Sequence, residues 1–228
     1  MNDFASRPGW MRAARHVTLA AATALIVLVV AIWSDATGDN IVRGREPGLA
    51  IVISLGTAFA GAVFLAWALL IGPYYAIRRR TIPLSSNLRR DVGIWAAINA
   101  GVHTVAWLQV VPGVSIAQFF LWPASAGATV PLRLDFFGIT NHLGAVATVI
   151  LLILLAISSN AALQRLGGRR WKSVQRWVYL GAGATALHGL FYQVMSQRSR
   201  GFMLLLAGLV VIVVTGQLWG WLRRRRAQ

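Results

Sequence analysis

Six long apolar runs divide this sequence, and they leave it few ways to fold. They cover residues 17–33, 48–77, 92–111, 138–159, 174–195 and 201–222. Roughly 20 helical residues cross a hydrocarbon layer about 30 Å thick. Inside that layer every backbone N–H and C=O must be satisfied within the protein, so runs of this length and spacing are helices. The expected fold class is all-α, an integral membrane bundle of six transmembrane helices. Composition agrees: 57% of the 228 residues are hydrophobic and 12% are charged, a balance foreign to soluble domains.

The breaks between runs set the rest of the organisation. The first run is longer than the apolar region of a signal peptide, and Ser34-Asp35-Ala36 is a poor cleavage site, so a retained span is expected. Gly72-Pro73 should kink the end of the second span, and Pro112-Gly113 should stop the third. Residues 112–137 are apolar but broken by prolines, which suits an interfacial or re-entrant cap over one end of the bundle. Residues 164–170 read as a tight basic turn around Gly167-Gly168. Three parts follow: an N-terminal segment 1–16, a six-helix domain 17–222 and a basic tail 223–228. Gly216-x-x-x-Gly220 could pair helices.

The formal net charge is +16, from 22 Lys and Arg against six acids. These residues stand in short clusters between apolar runs, so they mark topology rather than a nucleic-acid surface. Seventeen fall on the side that holds both termini and residues 78–90 and 165–176; five fall on the other. Both termini are therefore expected in the cytoplasm, with the chain multi-pass in the inner (plasma) membrane. Cysteine is absent, which excludes disulfides, thiolate nucleophiles and cysteine-held iron–sulfur clusters.

Two histidines lie deep in apolar runs, where an unpartnered imidazole is unfavourable. At ~1.5 Å per residue, His103 lies about 14 Å below Pro112, and His188 about 14 Å below Gln197. The third and fifth spans run in the same direction, so the two rings reach one depth. Two imidazoles suffice as axial ligands for a haem iron, whereas zinc wants three or four ligands. Small residues flank both: Gly181 and Ala184 for His188, and Ala96, Asn99 and Ala100 for His103. They would admit a flat macrocycle, or serve as ordinary contacts between membrane helices. His142, beside Thr140 and Asn141, is a candidate for an outer-face substrate, quinone or metal site, and His16 for the cytoplasmic interface. No group is marked as catalytic.

Three passages resemble a known family. They are Arg89-Arg90-Asp91-Val92-Gly93-Ile94 before His103, Ile157-Ser158-Ser159-Asn160 before Leu166-Gly167, and Arg170-Trp171-Lys172 through Arg176-Trp177-Val178-Tyr179-Leu180 to His188. Together they resemble the ferric-reductase-like transmembrane domain family, most nearly its MsrQ-type haem-binding membrane subunits. The resemblance covers residues 45–222 and implies that His103 and His188 are the outer haem pair. Family members often carry a further histidine thirteen residues before the one on the fifth span; here that position is Gln175. The matching position before His103 is Arg89. One haem b is therefore implied rather than two. Arg89, Arg90, Lys172 and Arg176 are candidates to hold a flavin phosphate or a haem propionate.

The expected function is transmembrane electron transfer. Electrons would pass from a cytoplasmic or quinol donor, through a bis-histidine haem, to ferric iron, oxygen or a partner reductase outside the membrane. The sequence carries no glycine-rich dinucleotide fingerprint, so a separate flavin reductase, a bound flavin or a quinone is expected to supply the electrons. The other partners expected are membrane lipid and a periplasmic or extracellular reductase. The competing reading is a haem-free scaffold or small-solute channel that uses Asn99, Gln109, Asn141 and Gln193.

Overall fold

A computed structural model describes residues 9–38, 48–78, 87–110, 115–127 and 129–225. Pro112, Gly113, the 39–47 loop with Arg43 and Arg45, the 79–86 loop and Arg226 lie outside the described residues. Among the described residues there are seven α-helices: α1 (Gly9–Thr37), α2 (Leu49–Ile77), α3 (Asn87–Val110), α4 (Phe136–Ala156), α5 (Asn160–Gln175), α6 (Val178–Met195) and α7 (Arg200–Arg225). Six of them are long rods that follow the six apolar runs. Among the described residues the only strand-like pairing is a single bridge, Leu121 to Leu132.

Four helices, α1, α2, α4 and α7, are long and apolar enough to cross a membrane. The two that fall short are α3 and α6, which carry His103 and His188. The first opens on Asn-Leu-Arg-Arg-Asp, and the second has only 18 residues, with His188, Tyr192 and Gln193 among them. Polarity is concentrated in the two rods that face each other across the candidate site.

α2 is the axis of the bundle. It packs against α1, α3 and α7, while α4 packs on α6 and α3. Half of α2's most apolar window is buried, against 17% for α1 and 11% for α7. The main core joins Phe64, Leu65, Ala68 and Leu69 of α2 to Val92, Ala96 and Ala97 of α3, with Leu19 and Leu151. A second cluster stacks Trp33 on Phe202, ring centroids 4.6 Å apart, beside Phe59, Val30 and Leu206. Elsewhere α1 and α7 expose large apolar side chains such as Leu25, Leu28, Leu204 and Val211. Such surfaces are unstable in water and at home in lipid.

Glycines set the closest helix contacts. A Cβ at Gly56 would lie 2.8 Å from the Val27 backbone, so α1 presses on α2 there. A Cβ at Gly220 would lie 2.8 Å from Cα of Pro73, and one at Gly216 would lie 2.5 Å from Leu70. The Gly216/Gly220 pair therefore seats α7 on α2 within one chain. It does so beside Pro73, which lies inside a helix that runs unbroken to Ile77.

The connection between α4 and α6 departs from the sequence reading. Instead of a tight turn over 164–170, the chain forms α5, sixteen residues of basic amphipathic helix. Ser159 caps it by accepting the Ala162 N–H at 3.0 Å. Gly167 breaks it at φ 71°, ψ 153°, a left-handed conformation that glycine takes without strain. Trp171 is its single buried residue and donates Nε1–H to the Ile157 carbonyl at 3.0 Å. The N-terminal segment departs too, since α1 already begins at Gly9 and its basic end is helical.

The cap lies outside α3 and α4. Two short 3-10 turns, Ile116–Phe119 and Ala124–Ala126, are tied by Trp122 N–H to Pro131 O (2.8 Å) and Arg133 N–H to Phe120 O (2.8 Å). The Arg133 guanidinium is its keystone. It pairs with Asp135 at 3.0 Å and donates to the Gln118 carbonyl at 3.1 Å. It also lies over the Trp122 and Phe137 rings, 4.7 and 4.4 Å from their centres. Asp135 in turn caps α4 by accepting the Gly138 N–H at 2.9 Å. Burial works against the Asp135 carboxylate, but the Arg133 and Gly138 bonds outweigh it and hold its pKa below the ordinary carboxylate value.

Candidate functional site: a facing histidine pair

His103 on α3 and His188 on α6 meet between the helices of the bundle. Their ring centroids are 6.0 Å apart and their planes cross at 71°. The two rings are held by different helices. Nδ1 of His103 lies 2.9 Å from the Ser54 carbonyl and 3.0 Å from its hydroxyl, both on α2. The Ser54 hydroxyl also reaches the His103 carbonyl at 3.4 Å. Nδ1 of His188 lies 2.8 Å from the Thr140 carbonyl, on α4. A carbonyl only accepts, so each Nδ1 must carry the proton. That tautomer leaves the Nε2 lone pair of each ring available to a further partner.

The rings line a cavity between α2, α3, α4 and α6, roofed by Phe119 of the cap. Its walls are mostly apolar, with Ala58, Ala96, Ala100 and Gly144 leaving room beside the rings. On the side toward the cap the polar groups are ordered. The Tyr192 ring meets His188 at 4.9 Å and Trp107 at 5.2 Å, and its hydroxyl donates to Asn141 Oδ1 at 2.7 Å. Asn141 donates onward to the Phe137 carbonyl at 2.9 Å.

The small residues singled out beside the histidines divide. Ala96 and Ala100 line the cavity. Gly181 packs on Ile150, where a Cβ would lie 3.0 Å from Cγ2. Asn99 is buried and donates to Thr23 Oγ1 at 3.2 Å and to the Trp95 carbonyl at 2.8 Å. Ala184 is likewise buried, outside the cavity lining. Those three serve helix packing. Ser54 and the Thr140 carbonyl escape a reading of side-chain spacing, because the key acceptors are main-chain oxygens on other helices.

The remaining candidates lie elsewhere. His142 sits on α4 with its ring 5.5 Å from that of Phe120; its Nε2 is buried without a partner, and it does not line the cavity. Arg90 donates to Asn160 at 2.6 Å and to Asn87 at 3.3 Å, which ties α3 to the start of α5. Gln175 is half-buried at the end of α5, and Arg176 and Lys172 are exposed. Arg89, Arg90, Gln175 and Arg176 are not among the residues around the histidine pair. No cluster of three or more metal-ligating side chains occurs among the described residues.

At the end of the bundle away from the histidine pair the buried charge is Asp91 on α3, fully enclosed. Arg15 reaches it at 2.7 Å and Arg12 at 3.3 Å, with His16 Nε2 3.7 Å away, all from α1. Trp95 Nε1–H donates to Nδ1 of His16 at 3.1 Å. His16 thus completes the polar cluster that docks α1 on α3.

Comparison with known proteins places the chain beside one group. It is 28% identical over 201 residues to the protein-methionine-sulfoxide reductase heme-binding subunit MsrQ of Rhodospirillum rubrum, covering 88% of this chain and 87% of that one. The MsrQ of Polaromonas naphthalenivorans is 28% identical over 200 residues, covering 87% and 81%. That of Klebsiella pneumoniae is 30% identical over 148 residues, covering 64% and 66%. No protein-family model matches.

Proposed function

The chain belongs to the MsrQ-type family, and from that premise we propose that it is a membrane haem protein carrying electrons to a reductase at the outer face. The observation that carries this reading is the pair of imidazoles 6.0 Å apart, each with Nδ1 already engaged by a carbonyl. A bound haem iron would be held by His103 and His188 through the Nε2 lone pairs that the Nδ1 contacts leave free. The donor set fits as well: two neutral nitrogens, no carboxylate or thiolate, and an apolar surround.

When bound, a haem supplies reversible one-electron chemistry at iron. The protein's own residues do the rest. Ser54 and Thr140 fix the tautomer and rotation of the two imidazoles and raise their basicity. Phe119, Leu151 and Leu206 keep the site dry from three sides. The Arg133–Asp135 clip anchors the cap that carries Phe119.

With Gln175 and Arg89 at the positions where larger relatives place inner ligands, the reading is of one haem per chain. A separate flavin reductase or a quinol then supplies the electrons from the cytoplasmic side. The name of the relatives points to a methionine-sulfoxide reductase as the acceptor, and the outer-face cap beside His142 is where it would dock. Both termini lie in the cytoplasm on this reading.

The test is the spectrum of the purified protein. Dithionite should produce b-type bands, and pyridine haemochrome analysis should return one haem per chain. A protein purified from haem-replete cells without those bands, or a His103→Ala variant with undiminished haem, would overturn the proposal.

A further inference from the structure

On α4, the carbonyl that holds His188 belongs to Thr140, four residues before Gly144. In an α-helix the side chain at i+4 hangs back over the carbonyl of residue i. A side chain at 144 would therefore stand beside the oxygen that His188 uses. The structure shows how little room remains: a Cβ built at Gly144 would lie 2.6 Å from both Cε1 and Nδ1 of His188, and 3.2 Å from Nε2. The ring lies flat against bare backbone, with its Nδ1 2.8 Å from the Thr140 oxygen.

α2 repeats the pattern on the other ring. The Ser54 carbonyl holds His103, and position i+4 is Ala58, which lines the same cavity. The ring on α3 is thus received beside a methyl group, and the ring on α6 beside a hydrogen. The other two glycines of the cavity lining do not face a histidine: a Cβ at Gly61 would lie 3.4 Å from Asn99 and one at Gly189 2.8 Å from Leu206, while one at Gly101 would meet nothing within 4 Å.

We propose that Gly144 is a positioning residue: its missing side chain opens the Thr140 carbonyl to His188 and so fixes the rotation of that imidazole. The 71° crossing of the two rings then follows from two independent anchors, one on α2 and one on α4. The inference rests on the haem reading for what the ring does, but not for how the ring is held.

Two measurements test it on the full-length protein in detergent. The first compares Gly144→Ala with Gly101→Ala as a matched control. A methyl at 144 must push the ring off its carbonyl. Gly144→Ala should shift the low-spin electron paramagnetic resonance signal, whose anisotropy follows the angle between axial ring planes. It should also lower retained haem about tenfold or more, the usual scale for losing a ligand's orienting bond. Gly101→Ala should change neither. In 15N-histidine-labelled protein, the Nδ1-protonated signature of His188, assigned by its loss in His188→Ala, should disappear in Gly144→Ala. Unchanged resonance and nitrogen signals in Gly144→Ala would overturn the proposal.

The second measurement is a double-mutant cycle on thermal unfolding and monodisperse yield, which needs no haem. In a His188→Ala background the ring that the methyl would strike is gone, so Gly144→Ala should cost nothing more. This arm also covers a single variant that fails to fold, because the double variant should then be recovered. An equal loss in both backgrounds would show that Gly144 serves helix packing alone. A wild-type protein that binds no haem would sink the proposed function, and the nitrogen signals and the cycle would still decide the role of Gly144.

Discussion

The two ends of this bundle solve the same problem in opposite ways. Each buries polar groups that lipid will not tolerate. The end with the histidine pair uses neutral imidazoles, and each is tied to a main-chain carbonyl of a neighbouring helix. The end with Asp91 uses charge, setting the enclosed carboxylate against Arg12 and Arg15. The difference teaches where chemistry can happen. An ion cluster spends its donors and acceptors on itself, whereas a carbonyl-anchored imidazole keeps one nitrogen for something else.

The largest expected effect is at the histidine end. His188→Ala should reduce haem to background while leaving the bundle folded, as read by pyridine haemochrome and by size-exclusion profile. Retention of a six-coordinate low-spin spectrum in that variant would break the contrast between a working half and a structural half. The converse change is Asp91→Ala. Removing the enclosed partner strands two arginines, a loss of roughly 2 kcal/mol once their partial exposure is allowed for. Thermal unfolding should register that loss, and the haem spectrum should keep its band positions. Displaced bands in Asp91→Ala would show that the two halves are coupled.

Ser54→Ala should be milder. It removes the hydroxyl contact to His103 but leaves the Ser54 carbonyl in place, a change of about 1 kcal/mol. A small shift in midpoint potential with full haem content is the expected result, and haem loss as complete as in His103→Ala would show that the hydroxyl, not the carbonyl, is the anchor.

Acid should loosen the cap. The Asp135 carboxylate is held below its ordinary pKa, so its contribution is complete above that value and is lost as pH falls through the lower, folded-state value. Protease accessibility of residues 115–135 should therefore rise below about pH 4, and Asp135→Asn should flatten that rise. The smallest effect is expected from Gln175→His. With arginine rather than histidine at 89, a lone new imidazole should leave the haem count at one; a second haem would overturn the one-haem reading.

The sequence made the six rods legible, because hydrophobic length is read directly from composition. It also brought His103 and His188 to one depth, since rise per residue is fixed by helix geometry. It failed at α5, whose charged stretch around Gly167-Gly168 looks like a turn and folds as a helix capped by Ser159 and broken at one residue. It failed again at the rings' anchors. Ser54 and Thr140 act through backbone oxygens, and no side-chain pattern reports which carbonyl a distant histidine will find. Gly181, Ala184 and Asn99 looked like walls of a cavity because they share a face with the histidines. Their neighbours, Ile150 for Gly181 and Thr23 for Asn99, belong to helices whose positions only the tertiary structure supplies.

The carbonyl ties also bear on how the molecule meets bilayers of different thickness. They fasten α3 to α2 and α6 to α4 in fixed axial register, and a slip of one residue would displace an acceptor by about 1.5 Å. The central rods cannot slide to follow a thinner or thicker membrane without dropping a ring. The adjustment falls to the outward faces of α1 and α7, whose apolar windows are the least buried. The geometry of the histidine pair is thereby insulated from the mechanics of the surrounding lipid.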